Sequence, residues 1–187
     1  MRHLRAGLSG RKQRPRRLLR TWVERYHVTD WSIENPEVDS PDGGKKGSPP
    51  STKTGGKNFF VPKLCNRCAD SLCTQVCPVG ATFVSPDGVV MVNQSYCLGC
   101  RYYIQACPYR CRFLNPETNT ASKCRLCYHR ITKGLKTCPT GTRQLVDLKN
   151  PNDSVHKFLE THSVQVLKPQ MATRAKVSYY GLDGSVR

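Results

Sequence analysis

Apolar positions along the chain come in short bursts separated by polar and turn-forming residues. Trp22, Val23, Tyr26, Val28 and Trp31 crowd into residues 22–33, enough apolar surface for a strand or a docking segment. After Cys77-Pro78, the stretch ATFVSPDGVVMV sets apolar clusters on either side of Ser85-Pro86-Asp87-Gly88. It predicts a β-hairpin with strands over 82–84 and 89–92. Near the C-terminus, Asn152 or Asp153 is placed to cap a short helix. Val155, Phe158, Leu159 and His162 share one face of that helix. Residues 163–167 then read as a strand and residues 168–187 as an extended tail. No apolar run approaches the length of a membrane-spanning helix.

Composition narrows this picture. The chain has 187 residues and an apolar share of 37%, which predicts a small core needing support from something else. Thirty Lys and Arg against 13 Asp and Glu give a formal charge of +17. Eight of the basic residues fall in residues 1–20, which contain no acid. Such a block reads as solvated and disordered, with nucleic acid or an anionic membrane as the sharper alternative. No apolar stretch follows it, so no signal peptide is expected, and Arg16-Arg17 lacks the context of a twin-arginine signal. Residues 41–57, with five Gly, three Pro and four Lys, read as a flexible loop. The expected organisation is a basic segment over 1–20, an extension over 21–58, a compact domain over 59–147 and a second extension over 148–187.

The compact part holds the chemistry. All 11 cysteines lie between Cys65 and Cys138, in an odd number ill suited to a disulfide scaffold. Three Cys-x2-Cys pairs (Cys65/Cys68, Cys97/Cys100, Cys124/Cys127) are followed in step by three Cys-Pro steps at Cys77, Cys107 and Cys138. One thiolate-bearing unit is thus repeated three times. A Cys-x2-Cys turn brings two thiolates to one metal centre, which zinc would accept. Four cysteines within residues 65–77, a proline after the fourth and a hairpin between copies favour an iron–sulfur cluster. In the bacterial ferredoxin run the fourth cysteine serves the other cluster. Crossed ligation of that kind assigns Cys65, Cys68, Cys73 and Cys107 to one cluster and Cys77, Cys97 and Cys100 to a second. Tyr103 stands where the second would take its fourth thiolate. Three thiolates hold a [3Fe-4S] cluster or a [4Fe-4S] cluster with one labile iron. Cys111, four residues beyond Cys107, could in principle fill that corner but reads as a small buried thiol. The third unit, Cys124, Cys127 and Cys138, has no partner unit; His129 could complete a mixed zinc site on count alone but reads as a surface histidine.

The segments FVPKLCNRC, CTQVCPVGATF, DGVVMV, CLGCRYYIQACPY, FLNPETNTASKCRLCYHRITKGLK and CPTGTRQLVDL together resemble the iron–sulfur electron-transfer subunits of molybdopterin oxidoreductases, of the dimethyl sulfoxide, tetrathionate and polysulfide reductase type. The similarity runs from about Arg20 to the C-terminus. It implies an α+β fold: a ferredoxin-like dicluster module with short β-hairpins, small helices and irregular N- and C-terminal extensions. It also implies an electron-transfer role between a molybdopterin catalytic subunit and a membrane quinol-interacting subunit, in a membrane-associated complex whose side the sequence does not specify. Under the resemblance, Cys65, Cys68, Cys73 and Cys77 match the family's second cysteine group. Cys97, Cys100 and Cys107 match the third, where some relatives carry an aromatic residue at the Tyr103 place and hold a [3Fe-4S] cluster. Cys124, Cys127 and Cys138 match three members of the last group. The first group has no counterpart before Arg20, so the central pair of clusters is the expected cofactor content. Two competing readings stand beside this one: a zinc-stabilised nucleic-acid-binding module, and a truncated remnant that binds no metal.

Overall fold

The computed structural model describes residues 18–29, 36–39, 56–135, 138, 140–184 and 186. The basic segment before residue 18 and nearly all of the expected loop over 41–57 lie outside the described residues. Strand β1 (Trp22–Val28) pairs antiparallel with both β2 (Glu37–Asp39) and β3 (Lys57–Lys63), in the order β2-β1-β3. Trp22 and Tyr26 of β1 face inward, as alternation on a half-buried strand requires. Tyr26 stacks on Phe59 at 5.2 Å between ring centres. Glu24 accepts hydrogen bonds from Trp22 Nε1 at 3.0 Å and Tyr26 Oη at 2.9 Å, and pairs with Lys63 at 3.3 Å. The loop expected to run to residue 57 thus gives way to a strand at Lys57.

The thiol-bearing part follows β3 directly. Short helix α1 (Leu72–Gln75) leads to hairpin β4 (Thr82–Val84) and β5 (Val90–Val92), and helix α2 (Tyr102–Ala106) leads to hairpin β6 (Arg112–Asn115) and β7 (Thr120–Lys123). Both hairpins pair antiparallel, with Thr82 opposite Val92 and Arg112 opposite Lys123. A third short helix, α3 (Tyr128–Ile131), follows Cys127, and among the described residues the next strand after Cys138 begins only at Val164. Mixed small helices and two-stranded sheets make this an α+β fold.

The flanking regions are more ordered than irregular extensions. Helix α4 (Val155–Thr161) takes Ser154 as its N-cap rather than Asn152 or Asp153, and the Val155 N–H donates to Asp153 Oδ1 at 3.0 Å in an Asx turn that leads into it. Phe158 stacks on His162, and both meet the edge of Tyr180. Residues 168–187 are not simply an extended tail. They hold a 3₁₀ turn (Pro169–Met171) and strand β9 (Ser178–Tyr180), which pairs with β8 (Val164–Val166). Between them the chain lies along the first Cys-x2-Cys turn. The Ala69 and Asp70 N–H groups donate to the carbonyls of Arg174 and Thr173, and the Lys176 N–H donates to Asn66 O. Sequence patterning missed this because the segment satisfies its backbone against another loop rather than in a helix or sheet. One buried cluster joins Trp22 and Val61 to Cys65, Cys111, Leu167 and Tyr179, so N-terminal strand, thiol region and C-terminal segment share a core.

Candidate metal centres

The threefold repeat read from cysteine spacing is also a repeat of backbone conformation. The third residue of each Cys-x2-Cys turn is left-handed: Arg67 at φ 52°, Gly99 at φ 69° and Leu126 at φ 53°. The third residue after each Cys-Pro cysteine is left-handed too: Gly80, Arg110 and Gly141, at φ 63°, 53° and 71°. In these turns the N–H of that residue donates to the cysteine carbonyl, at 3.3, 3.2 and 3.4 Å for Cys77, Cys107 and Cys138. Arg and Leu normally avoid this region, and such strain persists where the surroundings require it.

These turns aim backbone donors at sulfur. Burial pushes the Cys77 thiol up, but N–H groups of Thr82, Val79 and Ala81 outweigh it and leave the thiol more acidic than usual. The Thr82 N–H lies 3.4 Å from Cys77 Sγ. At Cys138 burial again opposes ionisation, while the Thr140 hydroxyl and N–H groups of Arg143, Thr140 and Thr142 bring the pKa down to about 7. At Cys107 burial prevails over the N–H groups of Cys111 and Tyr109, and the neighbouring Cys65 and Cys73 add to the upward shift. Donors fixed on sulfur stabilise thiolate, the form that binds metal.

The thiols fall into two neighbourhoods. Cys65 and Cys73 both raise Cys68 and Cys107, after burial, and Cys107 and Cys65 likewise raise the core thiol Cys111, so these groups lie within electrostatic reach of one another. Thr173 donates its hydroxyl to Cys68, and Ser71 Oγ lies 3.2 Å from Cys73 Sγ. Cys73, on α1, also borders the second neighbourhood, a recess that it lines with Cys77, Cys97, Cys100 and Tyr103. The Ala121 N–H donates to Cys97 Sγ at 3.2 Å. Tyr103 is 4% exposed, and its hydroxyl is buried without a hydrogen-bond partner. Burial raises its pKa to about 12, with Cys97 and Cys100 next in effect. An unpartnered buried hydroxyl beside two thiols is costly unless something polar occupies the recess.

Gly99 fixes the second Cys-x2-Cys turn against the β6–β7 hairpin. A Cβ there would collide with the Asn119 carbonyl oxygen, and Gly99 is already left-handed. Gly99→Ala is therefore expected to push the hairpin from Cys97 and Cys100. Iron content should fall at the second centre, with the first kept, as read by metal analysis and EPR of the purified variant.

The remaining cysteines are placed differently. Cys111 is 3% exposed and donates its thiol proton to the carbonyls of Leu64 at 2.9 Å and Tyr109 at 3.1 Å. Burial holds that thiol far above its ordinary range, as befits a protonated core group. Cys124 is buried and accepts the Leu126 N–H at 3.3 Å. Cys138 sits in its own nest of donors, and Cys127 begins α3. All 11 thiols are unpaired with one another as disulfides. Among the described residues no three His, Cys, Asp or Glu side chains gather closely enough to clasp a single ion. The thiolates of a tetrahedral zinc stand only about 3.8 Å apart, whereas a multi-iron cluster is held by thiolates spread around it.

Sequence patterning also passed over three buried cations. Lys123, Arg67 and Arg112 are 2%, 3% and 4% exposed. Burial pushes the Cys65 thiol up, yet Lys123, Arg67 and Arg112, with the Arg67 N–H, outweigh it and leave Cys65 acidified. In a chain with 30 basic residues nothing in spacing singles these out.

Residues 57–148 match the model of the 4Fe-4S dicluster domain. A tetrathionate reductase subunit of Salmonella typhimurium is 44% identical over 133 residues, 67% of this chain and 53% of the relative. The corresponding tetrathionate reductase subunit of Archaeoglobus fulgidus is 34% identical over 167 residues, 88% of this chain and 68% of the relative. This protein belongs to that family of reductase iron–sulfur subunits. A polysulfide reductase polypeptide of Wolinella succinogenes, another member, is 34% identical over 119 residues, 60% of this chain and 62% of the relative. The chain spans about half the length of the Salmonella subunit, 53%. Its cofactors, as a 4Fe-4S dicluster protein, are iron–sulfur clusters that include [4Fe-4S]. The donor set fits them: soft thiols in two neighbourhoods, N–H groups turned onto sulfur, and a buried tyrosine hydroxyl without a protein partner.

Proposed function

We propose that the chain is the electron-transfer subunit, or part of one, of a molybdopterin oxidoreductase complex. Its partners in that reading are a molybdopterin catalytic subunit and a membrane quinol-interacting subunit, in a membrane-associated assembly. Cys65, Cys68, Cys73 and Cys107 hold a [4Fe-4S] cluster, and Cys77, Cys97 and Cys100 hold a second with Tyr103 at its open corner, as a [3Fe-4S] centre. When bound, the clusters supply one-electron transfer. The chain's own residues bind them, shield them from water and set their charge environment. Thr82, Ala81 and Val79 direct N–H groups to Cys77; Thr173 donates to Cys68; Tyr103 closes the second recess. The observation that carries the reading is the two-neighbourhood grouping: Cys77, Cys97, Cys100 and Tyr103 line one recess, and Cys107 lies within electrostatic reach of Cys65 and Cys73 across the unit boundary.

Cys124, Cys127 and Cys138 complete a further centre only with ligands from outside the described residues. Among the described residues no helix is long and apolar enough to cross a membrane. Anaerobic purification tests the proposal by iron, sulfide and zinc analysis with low-temperature EPR before and after dithionite. About seven irons per molecule, the sum of one four-iron and one three-iron centre, with an oxidised three-iron signal, is the expected result. Cys68→Ser should lose the four-iron signal and keep the three-iron one. A colourless protein with stoichiometric zinc would replace this reading with the zinc module.

A further inference from the structure

We propose that Lys123, Arg67 and Arg112 form a buried counter-charge for the clusters, and that Lys123 is the positioning residue that raises the reduction potential of the centre held by Cys65. The proposal rests on the ligand assignment above. Three like charges lie inside a small fold, each at most 4% exposed. None joins a carboxylate in an ion pair among the described residues. Arg112 and Lys123 stand directly opposite each other across β6 and β7, a placement that destabilises a sheet when the charges match. A buried cation persists only with a compensating partner.

No carboxylate faces Lys123 among the described residues; the side chains that favour its charge are Cys65 and Cys124. Its Nζ lies 3.6 Å from Cys65 Sγ and donates to the Cys124 carbonyl at 3.1 Å. Arg67 spans the two hairpins, donating to Val90 O at 2.7 Å and Cys124 O at 2.6 Å, with Cys124 Sγ at 3.8 Å. Arg112 donates to Thr82 Oγ1 at 3.2 Å, on the strand that follows Cys77, and its guanidinium lies 5.8 Å from the Tyr103 ring. So Lys123 meets the first neighbourhood most directly, while Arg112, which also acts on Cys65, reaches to the second. Arg67 Nε and Arg112 Nε and Nη2 are buried without partners, donors left over after every protein acceptor is counted. Purely structural cations would end on carbonyls alone. These end on a thiol, beside a second recess, and in unused donors. Adding an electron makes a cluster more negative, so fixed positive charge in a low-dielectric interior favours the reduced state and lifts its potential.

The test is a redox titration of the whole iron-loaded protein, following each centre by its own EPR signal at poised potentials. Lys123→Met keeps the length and apolar stem and removes the charge. Its expected effect is at least a tenfold loss in the one-electron reduction equilibrium of the four-iron centre, a fall of about 59 mV. Lys123→Arg should keep the midpoint near that of the parent. Arg112→Gln should lower the three-iron midpoint more than the four-iron one. An unchanged four-iron midpoint in Lys123→Met would overturn the proposal, as would equal falls in Lys123→Met and Lys123→Arg. If Lys123→Met fails to load iron while Lys123→Arg loads it, the charge requirement stands. If neither loads, Arg112→Gln decides, and unmoved midpoints there overturn the counter-charge. A parent protein that binds no iron would instead remove the ligand assignment, a failure the metal analysis registers separately.

Discussion

Removing iron with a chelator under reducing conditions is expected to unfold the region from Lys57 to Cys138. The expected signs are loss of near-ultraviolet circular dichroism and of amide protection in β4 to β7. The reason is electrostatic as much as entropic. A domain's net stability is about 5–15 kcal/mol, and each buried, uncompensated ion costs several kcal/mol. Without clusters the interior retains Arg67, Arg112 and Lys123 against thiols, with no carboxylate paired to any of them among the described residues. Lys123 can release its proton, since burial brings its pKa to about 8, but the two arginines cannot. A small apolar core does not offset that cost. A cooperative unfolding transition at the same temperature with and without iron would show that the fold stands on its own packing.

Tyr103→Cys is expected to convert the second centre from three irons to four. Iron per molecule should rise by about one, and the three-iron EPR signal of the oxidised protein should disappear. Tyr103 lies in α2, three residues beyond Cys100, where a ferredoxin unit places its third thiolate. Its hydroxyl is buried, unpartnered and next in line to Cys97 and Cys100, so a thiol on the same backbone would enter the same recess. Tyr103→Phe is the control: it removes the hydroxyl, adds no ligand and should leave a three-iron signal. Persistence of that signal in Tyr103→Cys would mean that the open corner lies elsewhere and that the pairing with Cys77 is wrong.

The thiol-bearing units were legible because metal ligation forces regular spacing onto a sequence. Cys-x2-Cys and Cys-Pro recur, and the same periodicity reappears as left-handed residues at matching positions. The hairpin after Cys77 was equally plain, since Ser85-Pro86-Asp87-Gly88 separates two apolar triplets and becomes the turn between β4 and β5. Contacts made across long separations left no such mark. Thr173 stands in a stretch of mixed composition, and its role at Cys68 exists only because the chain returns to Ala69 and Asp70. Strand β3 was obscured by the Gly- and Lys-rich residues before it, and is fixed by its seven-residue pairing with β1. The buried cations were invisible for a different reason: burial of Lys or Arg is so unfavourable that only a tertiary partner reveals it.

The return of the C-terminal segment to the first Cys-x2-Cys turn also orders events during synthesis. Asn66 is bonded to Lys176, Asp70 to Thr173, and Tyr109 Oη lies 2.7 Å from Thr173 Oγ1. Those bonds cannot form until residue 176 has emerged from the ribosome. At about 5–20 residues per second, the roughly seventy residues after Cys107 take several seconds to make. Throughout that interval Cys65, Cys68, Cys73 and Cys107 are all on the chain while the segment whose Thr173 hydroxyl donates to Cys68 is not. Cluster delivery therefore has a natural window between translation of Cys107 and closure by Thr173. A polypeptide late in elongation would be a receptive client for the delivery machinery, and Thr173 would then close over a cluster already seated.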